Sequence, residues 1–378
     1  MIYSTIAFNL DTNLITAALP LFETDEVAAI EWAFDSLYHR DQLPDWFADL
    51  LTTYGESGRL VGHGVFFSLL SGCWTAEQQA WLTNLKQLAG TFRFAHVTEH
   101  FGFMTGANFH QGAPLGVPFT TQTLALGRDR LQRLQDACGC PVGLENLAFA
   151  YSTNEVRQHG EFLRKLIEPV NGFIILDLHN VYCQLMNFDV EAADLLALYP
   201  LDRVREIHIS GGSWHDSVAE PTRTIRRDTH DDAVPDAVFN LLTYVMGHCP
   251  DLRFVVLEQL GTALDTDQSR LQFQLDFQRM DAIVKAKGAL ENTLGNSFLP
   301  LTTLPLLTPP ITDSLLYGQQ RTLATILETA TDYEQAQAQL ARSELAYSAW
   351  KTEDWQPAML ETAIAIAQKW RNGFEQSA

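Results

Sequence analysis

Short, continuously apolar segments recur along most of this chain, and they constrain the fold more than any other feature of the sequence. They do not alternate apolar with polar residues, which is typical of strands that are buried on both faces of a parallel sheet. Stretches with apolar residues at helical spacing separate most of them. Eight strands that alternate with helices predict an α/β fold, a TIM (β/α)8 barrel rather than a doubly wound sheet. The predicted strands are residues 3–8, 27–32, 59–65, 92–97, 141–146, 172–178, 204–210 and 252–258.

Four of the intervening segments carry clear helical patterns, at residues 76–90, 120–139, 155–169 and 235–250. The last two end at proline, as helices often do. Alternation of this kind is what a barrel of parallel strands requires, because each strand must be returned to the same end of the sheet by a crossover helix.

The character of the sequence changes after residue 290. Residues 297–314 are rich in Pro and Thr, and the chain beyond them is rich in Ala, Gln, Leu and Glu with a helical pattern. We therefore predict a TIM-barrel metal domain over 1–290, a linker or extended wrap over 291–314, and a helical extension over 315–378. The extension lacks the clustered ligand residues of the barrel, so we expect it to cover the barrel exterior or to dock a partner or peptide.

Composition excludes some functions. The formal net charge of -21 argues against nucleic acid, because binding a phosphate backbone needs a basic surface. No apolar stretch approaches the roughly 18 residues that a membrane helix needs, so we expect no membrane partner. The N-terminus has no basic region ahead of an apolar one, and the five cysteines show no paired framework. We therefore expect a cytoplasmic protein without an export signal.

Histidine and carboxylate residues lie at or just beyond the ends of the predicted strands. In a parallel barrel these ends converge on one face, which carries the chemistry. Glu145 and Glu258 are the most informative, because each ends a strongly apolar strand and a glutamate is rarely buried unless it is paired or binds a metal. Five histidines and four carboxylates are too many for one tetrahedral metal, which predicts a multinuclear site. The set is His63, His100, Glu145, Asp177, His179, His208, Asp228, His230 and Glu258.

Other polar residues near these positions have less specific interpretations. Asp177 and His179 are two apart at a strand end, and we expect them to share one face. His96, within the fourth predicted strand and four residues before His100, is interpreted as a core histidine, and a role in supporting the metal ligands is the alternative.

Three arginines precede the predicted ligand Asp228. Arg223, Arg226 and Arg227 form either a solvated loop or a site for an acidic leader peptide or a carboxylate of the substrate. His215, in the segment GGSWHDS, is a further candidate for substrate contact.

The motifs HGVFFSL, TEHFGF, LEN, LDLHN, EIHISGG, DTH and VLE follow one another in this order. Together they resemble the DUF692 family, also called MNIO, the multinuclear non-heme iron-dependent oxidases. The resemblance implies an oxidoreductase on a TIM barrel with two or three irons in a mixed-valence Fe(II)/Fe(III) state. Such enzymes use dioxygen as co-substrate to oxidise residues, usually Cys, of ribosomally made precursor peptides. The precursor peptide is the expected partner. Many members also act with a separate peptide-recruiting protein, and the sequence leaves open whether this chain needs one.

The resemblance also implies how the ligands are shared among the irons. His63, His100 and Glu145 match the ligands of one iron. His179, Asp228 and His230 match those of a third iron, although the usual family motif is closer to D-x-N-N where this chain has His179. The remaining set, which the resemblance implies for a second iron bridged to the first and which we predict to be catalytic, is Glu145, Asp177, His208 and Glu258.

Three other functions use similar residue types. A xylose-isomerase-like sugar isomerase or epimerase also places Glu, Asp and His at barrel strand ends, with a divalent metal and no redox change. An endonuclease-IV-like enzyme with three zinc ions would need a basic surface for DNA. A non-enzymatic interaction protein would leave the converging ligands unexplained.

Overall fold

A computed structural model describes residues 1–37, 42–287, 295–301 and 306–373. Eight parallel strands close into a barrel in which each strand pairs with the next along the chain and the eighth pairs with the first. This confirms the predicted TIM barrel. The strands are β1 Tyr3–Ala7, β2 Ala29–Trp32, β3 Leu60–Gly64, β4 Val97–His100, β5 Val142–Glu145, β6 Phe173–Asp177, β7 Val204–Ile209 and β8 Phe254–Leu257.

Helices connect the strands and also form the C-terminal part of the chain. Two short hairpins lie outside the barrel sheet, Phe103–Met104 with Pro114–Leu115, and Trp214–Asp216 with Thr224–Arg226. In the described ranges the helices are α1 Thr12–Glu23, α2 Asp45–Glu56, α3 Ala76–Phe92, α4 Thr121–Cys138, α5 Thr153–Ile167, α6 Leu178–Phe188, α7 Ala192–Leu196, α8 Asp236–Val245, α9 Asp267–Lys287, α10 Ser314–Thr329, α11 Tyr333–Leu340 and α12 Pro357–Lys369.

The fourth strand differs from its prediction. Residues 92–97 were expected to form it, but α3 continues to Phe92 and ends where Arg93 adopts a left-handed conformation with φ 53°. The strand begins only at Val97 and pairs its last residue, His100, with Glu145. The apolar residues that suggested a strand, Phe92 and Phe94, are buried in the main hydrophobic core instead. Burial rather than strand geometry therefore explains that apolar run.

The barrel interior is apolar at one end and polar at the other. Ala29, Val61 and Phe254 form a small separate core near the N-terminal ends of the strands. The main core lies between the strands and the surrounding helices. Charged side chains fill the interior between this small core and the C-terminal strand ends. The catalytic face of such barrels lies at these ends.

The C-terminal helices pack on loops of the catalytic face. Gln320 of α10 bonds the backbone of Leu70 and Gly72 in the loop after β3. Arg321 donates to Thr105 O and Gly106 O after β4, at 2.8 and 2.9 Å. Further contacts join the loop after β5, where the rings of Tyr151 and Trp355 stack with centroids 3.6 Å apart. The C-terminal helices therefore do more than cover the barrel exterior, because they also contact the loops after β3, β4 and β5.

Residues 306–313 run along the outside of α4, where Arg130 Nη2 donates to Ile311 O at 2.7 Å. The predicted boundary at residues 290 and 291 lies outside the described residues, as do residues 374–378 of the extension.

Within the described part of the chain, no helix combines the length and apolar character needed to cross a membrane. All five cysteines have free thiols.

Candidate metal centre

Two predicted histidine ligands from neighbouring strands converge on one carboxylate oxygen of a third predicted ligand, Glu145. His63 lies within β3, while His100 and Glu145 end β4 and β5. The Nε2 atoms of His63 and His100 lie 3.3 and 3.4 Å from the same Oε2 atom of Glu145. Candidate ligand atoms of the three residues all lie within 4.8 Å of one another. The other ring nitrogen of each histidine is already bonded, to Thr98 Oγ1 or to Gly64 O, which orients the rings.

A second group shares Glu145 with the first. Asp177 ends β6 and pairs in register with His208 of β7. The ligand atoms of Glu145, Asp177 and His208 lie within 4.8 Å of one another, and all three residues are buried. Glu258, one residue beyond β8, places Oε2 3.1 Å from His208 Nδ1. Glu145 therefore belongs to both groups, as expected of a bridging carboxylate.

A third group has a different membership from the predicted one. Asp177, His230 and Glu258 present ligand atoms within 4.8 Å of one another. His230 Nε2 also lies 2.9 Å from Asp228 Oδ1. The groups of three found among the described residues do not include His179, although the family resemblance implied a set of His179, Asp228 and His230.

His179 lies on the first turn of α6 and not on the strand that Asp177 ends, so the expectation of a shared strand face is wrong. The reason is that Asp177 caps this helix, accepting a hydrogen bond from Asn180 N. Both ring nitrogens of His179 have partners. Nδ1 lies 3.0 Å from Asp228 Oδ1, and Nε2 accepts from Arg226. His179 thus reaches the centre only through Asp228.

Buried charges stabilise one another across the centre. Burial disfavours protonation of His63, but its hydrogen bond to Glu145 and the charges of Glu31 and Glu145 raise its pKa to about 10. Burial would raise the pKa of Glu258, yet the charge of His208 and the close approach of the two side chains, 3.1 Å, lower it to about 2. Asp177 is the exception. Burial and the charges of neighbouring carboxylates raise its pKa well above the usual range.

The donor set fits a metal ion on an observation of this structure. Asp177 Oδ2 is a buried atom without a hydrogen-bond partner, and His208 Nδ1, although 3.1 Å from Glu258 Oε2, is not in hydrogen-bonding geometry with it. Buried polar atoms are normally satisfied. Both belong to the second group. A cation between them would provide the missing partner and remove the repulsion that raises the Asp177 pKa. Mixed carboxylate and imidazole ligands suit iron, manganese and zinc alike.

Two asparagines of the sequence motifs hold the carboxylates in place. Asn180 Nδ2 donates to Glu145 Oε1 at 3.1 Å. Asn146 bonds the backbone of Asp177 through both ends of its amide, at 2.7 and 3.1 Å. Both amides are buried, so each fixes its neighbour without competition from water. The positions of these asparagines directly after or close to a predicted ligand were the available sequence signal.

Sequence reasoning missed two buried glutamates beneath the centre. Glu31 Oε2 and Glu206 Oε1 lie 3.1 and 2.9 Å from His208 Nε2, and Glu206 also bonds His96. Burial raises the pKa of Glu31 to about 8. The signal was present, because each glutamate interrupts an apolar strand, as Glu145 and Glu258 end one. Together with His208 they form a further buried group whose candidate ligand atoms lie within 4.8 Å of one another, on the Nε2 side of the ring.

The predicted substrate residues lie on or beside the hairpin after β7. His215 is exposed on its first strand. Arg226 is buried and its guanidinium lies over the rings of Tyr182 and Trp214. Arg223 bonds Glu220, Gln356 and Asn187 O, so it connects the hairpin to the rest of the protein. Arg227 donates to Ser213 Oγ, while its Nε atom is buried without a hydrogen-bond partner.

Comparison with known sequences finds one family model, described as the RiPP precursor modification enzyme MbnB/TglH/ChrH, that matches residues 31–267. A UPF0276 protein of Acaryochloris marina is 33% identical over 153 residues, which cover 39% of this chain and 54% of that protein. Another, from Caulobacter vibrioides, is 28% identical over 186 residues, 49% of this chain and 63% of that protein. The match thus spans a little over half the length of these relatives.

Solved structures with a similar course of the chain are more distant. The probable 3-DHS dehydratase AsbF from Bacillus anthracis is 14% identical, with a TM-score of 0.48 and coverage of 74% of this chain and 98% of that chain. The IOLI protein with a bound zinc atom is also 14% identical, with a TM-score of 0.46 and coverage of 75% and 96%. These similarities give no information on chemistry.

Proposed function

The chain belongs to the MbnB/TglH/ChrH family of RiPP precursor modification enzymes, and from this premise we propose that it is an iron-dependent oxidase. In this proposal it uses dioxygen and modifies residues, most favourably Cys, of a ribosomally synthesised precursor peptide. The metal complement we propose is two or three irons per chain. The observation that carries the proposal is the carboxylate of Glu145, which belongs to two adjacent groups of candidate ligands.

The residues divide into ligand sets. We assign His63, His100 and Glu145 to one iron. For the third position we prefer Asp177, His230 and Glu258, whose ligand atoms are close together, over a set that includes His179. The second iron, adjacent to the first, is assigned to Glu145, Asp177, His208 and Glu258.

When bound, adjacent irons supply redox and Lewis-acid chemistry and favour the deprotonated form of a substrate thiol. The protein contributes a preformed ligand shell. Asn180 fixes one oxygen of Glu145, which leaves the other oxygen directed at His63 and His100. Asn180 thus limits rotation of the Glu145 carboxylate.

Access for a peptide is supported from one side only. The side chains of His100 and His230 are 23% and 25% exposed, whereas those of His208 and His179 are fully buried. His230 follows the second strand of the hairpin that carries His215 by four residues. We therefore propose that the peptide enters between this hairpin and the loops after β4 and β5, and that His215 and Arg227 contact it. Arg223 and Arg226, whose guanidinium groups are bonded internally, are assigned to holding the hairpin.

Metal analysis of the full chain after anaerobic reconstitution with iron-57, combined with Mössbauer spectroscopy, tests the proposal. We expect two to three irons per chain and a coupled ferric–ferrous signal. Replacement of His248, a histidine on the barrel exterior, by Ala should leave both unchanged and serves as the control. Uptake of zinc or manganese without iron would overturn the proposal. It would favour an isomerase or epimerase with a divalent metal instead.

A further inference from the structure

A chain of hydrogen bonds crosses the barrel interior from Arg205 to His208. Arg205 Nε donates to His96 Nδ1 at 3.1 Å. His96 Nε2 contacts Oε2 of Glu206, and the other oxygen of Glu206 lies 2.9 Å from His208 Nε2. His96, Glu206 and His208 are fully buried, and Arg205 is 6% exposed. Water therefore does not compete for the ring nitrogens.

The guanidinium of Arg205 fixes which atom donates and which accepts in each of these hydrogen bonds. A guanidinium only donates hydrogen bonds, so Nδ1 of His96 must accept and its proton must lie on Nε2. That proton is donated to Glu206, which as a carboxylate only accepts. The same argument applies on the other side of Glu206, where His208 must donate from Nε2. Its Nδ1 atom lies 3.1 Å from Glu258 Oε2 but not in hydrogen-bonding geometry, so its lone pair is then left directed toward the candidate metals.

Glu206 and His208 occupy the same face of β7, two residues apart, so the geometry is built into one strand. Glu31 Oε2 lies 3.1 Å from the same Nε2 atom. His96 lies just before β4, on the opposite side of Glu206. None of these side chains, apart from His208, belongs to the ligand sets proposed above.

We propose that Arg205, His96 and Glu206 are positioning residues that select the tautomer of His208 in which Nδ1 binds the metal. The inference rests on the proposed function only in that a metal binds at His208, and it does not depend on the metal being iron. A metal-bound histidine commonly donates its other ring nitrogen to a carboxylate, and loss of such a partner typically weakens metal binding by about 10- to 100-fold.

Four full-length proteins test this proposal: the wild type, Glu206→Gln, Arg205→Gln and the double variant. A glutamine at 206 keeps the shape but replaces one acceptor by a donor, so one of the two histidines meets a donor instead of an acceptor. A glutamine at 205 carries its amide at the same distance along the side chain as Arg Nε. Because this amide can turn to donate or accept, it supports either tautomer of His96.

Zinc affinity of the metal-free proteins is measured by competition with a chromophoric chelator. We expect Arg205→Gln to stay within about 3-fold of the wild type and Glu206→Gln to bind at least about 10-fold more weakly. The double variant should recover to within about 3-fold, because the amides at 205 and 206 can then satisfy both histidines. A role in packing alone predicts no recovery. Wild-type affinity in Glu206→Gln, or a double variant weaker than either single one, would overturn the proposal.

A second measurement needs no variant to fold. In zinc-loaded wild-type protein with nitrogen-15-labelled histidine, the NMR shifts of His208 should show a protonated Nε2 and a metal-bound Nδ1. Metal binding through Nε2 would contradict the proposal. If these zinc results hold while iron-57 reconstitution gives no coupled iron signal, the proposed oxidase function fails and the positioning role stands.

Discussion

Arg226 donates two hydrogen bonds to a single atom of His179, from Nε at 3.1 Å and from Nη2 at 3.0 Å to Nε2 of the imidazole. The opposite nitrogen of the ring lies against Asp228. While Arg226 holds this position, His179 cannot present Nε2 to a metal. The arginine therefore occupies the ring nitrogen of a histidine that the family resemblance implied as a metal ligand.

Replacing Arg226 by Met should release His179. We expect the most weakly bound metal to bind about 10-fold more tightly, since a ring nitrogen becomes available and a nearby cation is removed. Isothermal titration of the metal-free protein with zinc measures this affinity. Arg227→Met is the matched control, because Arg227 donates to Ser213 and not to His179. An unchanged weakest site would mean that His179 is not a ligand in this protein.

Removal of Glu145 should cost more metal than removal of a ligand that belongs to one group. We expect Glu145→Ala to lose about two metals per chain and His100→Ala about one, because Glu145 takes part in two of the candidate groups and His100 in one. Elemental analysis of reconstituted, desalted protein gives the stoichiometry. Equal losses in the two variants would argue against a shared carboxylate.

Glu155 should make stability fall with rising pH. Burial raises its pKa from 4.5 to about 7 in the folded protein. Between these values the folded state keeps a proton that the unfolded state has released, so stability declines as pH rises through this window and stays reduced above it. Glu155→Gln should therefore be more stable than the wild type at pH 8, by about 1 to 3 kcal/mol, and similar to it near pH 4.5.

Urea unfolding at pH 4.5 and pH 8 measures this difference. The amide of Gln can still accept the hydrogen bond that Tyr151 N donates to Glu155 at 2.8 Å. Glu161→Gln, an exposed position on the same helix, provides the control. The expectation fails if Glu155→Gln keeps the wild-type dependence of stability on pH.

Glu361 links the C-terminal extension to the hairpin of the catalytic face. Its carboxylate accepts from Ser217 Oγ at 2.6 Å and from the backbone of Val218 and Ala219 at 3.1 and 3.3 Å. Glu361→Ala should loosen this turn. Loss of charge-assisted bonds worth about 1 to 2 kcal/mol should increase amide hydrogen exchange at Val218 and Ala219 roughly 10-fold. Exchange measured by mass spectrometry tests this, with the exposed Glu334→Ala as control. Equal exchange in both variants would exclude the link.

The sequence predicted the barrel because its strands are buried on both faces, and burial leaves a direct record in apolar runs. It also placed Glu145 and Glu258 at strand ends, where convergence in a closed barrel is unavoidable. The fourth strand was misplaced because Phe92 and Phe94 are buried by a helix end and a loop. An apolar run indicates that a segment is buried, but it does not indicate whether the segment is a strand, a helix end or a loop.

The hydrogen bonds from Arg205 through His96 and Glu206 to His208, and the contacts around His179, could not be predicted from apolar runs. His96 and Glu206 are 110 residues apart in sequence, and whether a histidine faces a carboxylate or a phenylalanine depends on barrel register. Similarly, the sequence does not show whether the strand continues beyond Asp177. In the structure Asp177 is the N-cap of α6, and His179 in the first turn of that helix faces Arg226.

The sequence by itself therefore determined the barrel and the identity of most residues that meet at its catalytic face. Periodicity and burial are local properties that each segment expresses alone. Only the tertiary structure decided which nitrogen of His208 faces the centre, which histidine lies close to both Asp177 and Glu258, and which loops the C-terminal helices hold. Those outcomes depend on hydrogen bonds between distant segments, whose direction is fixed only when donors and acceptors are brought within about 3 Å.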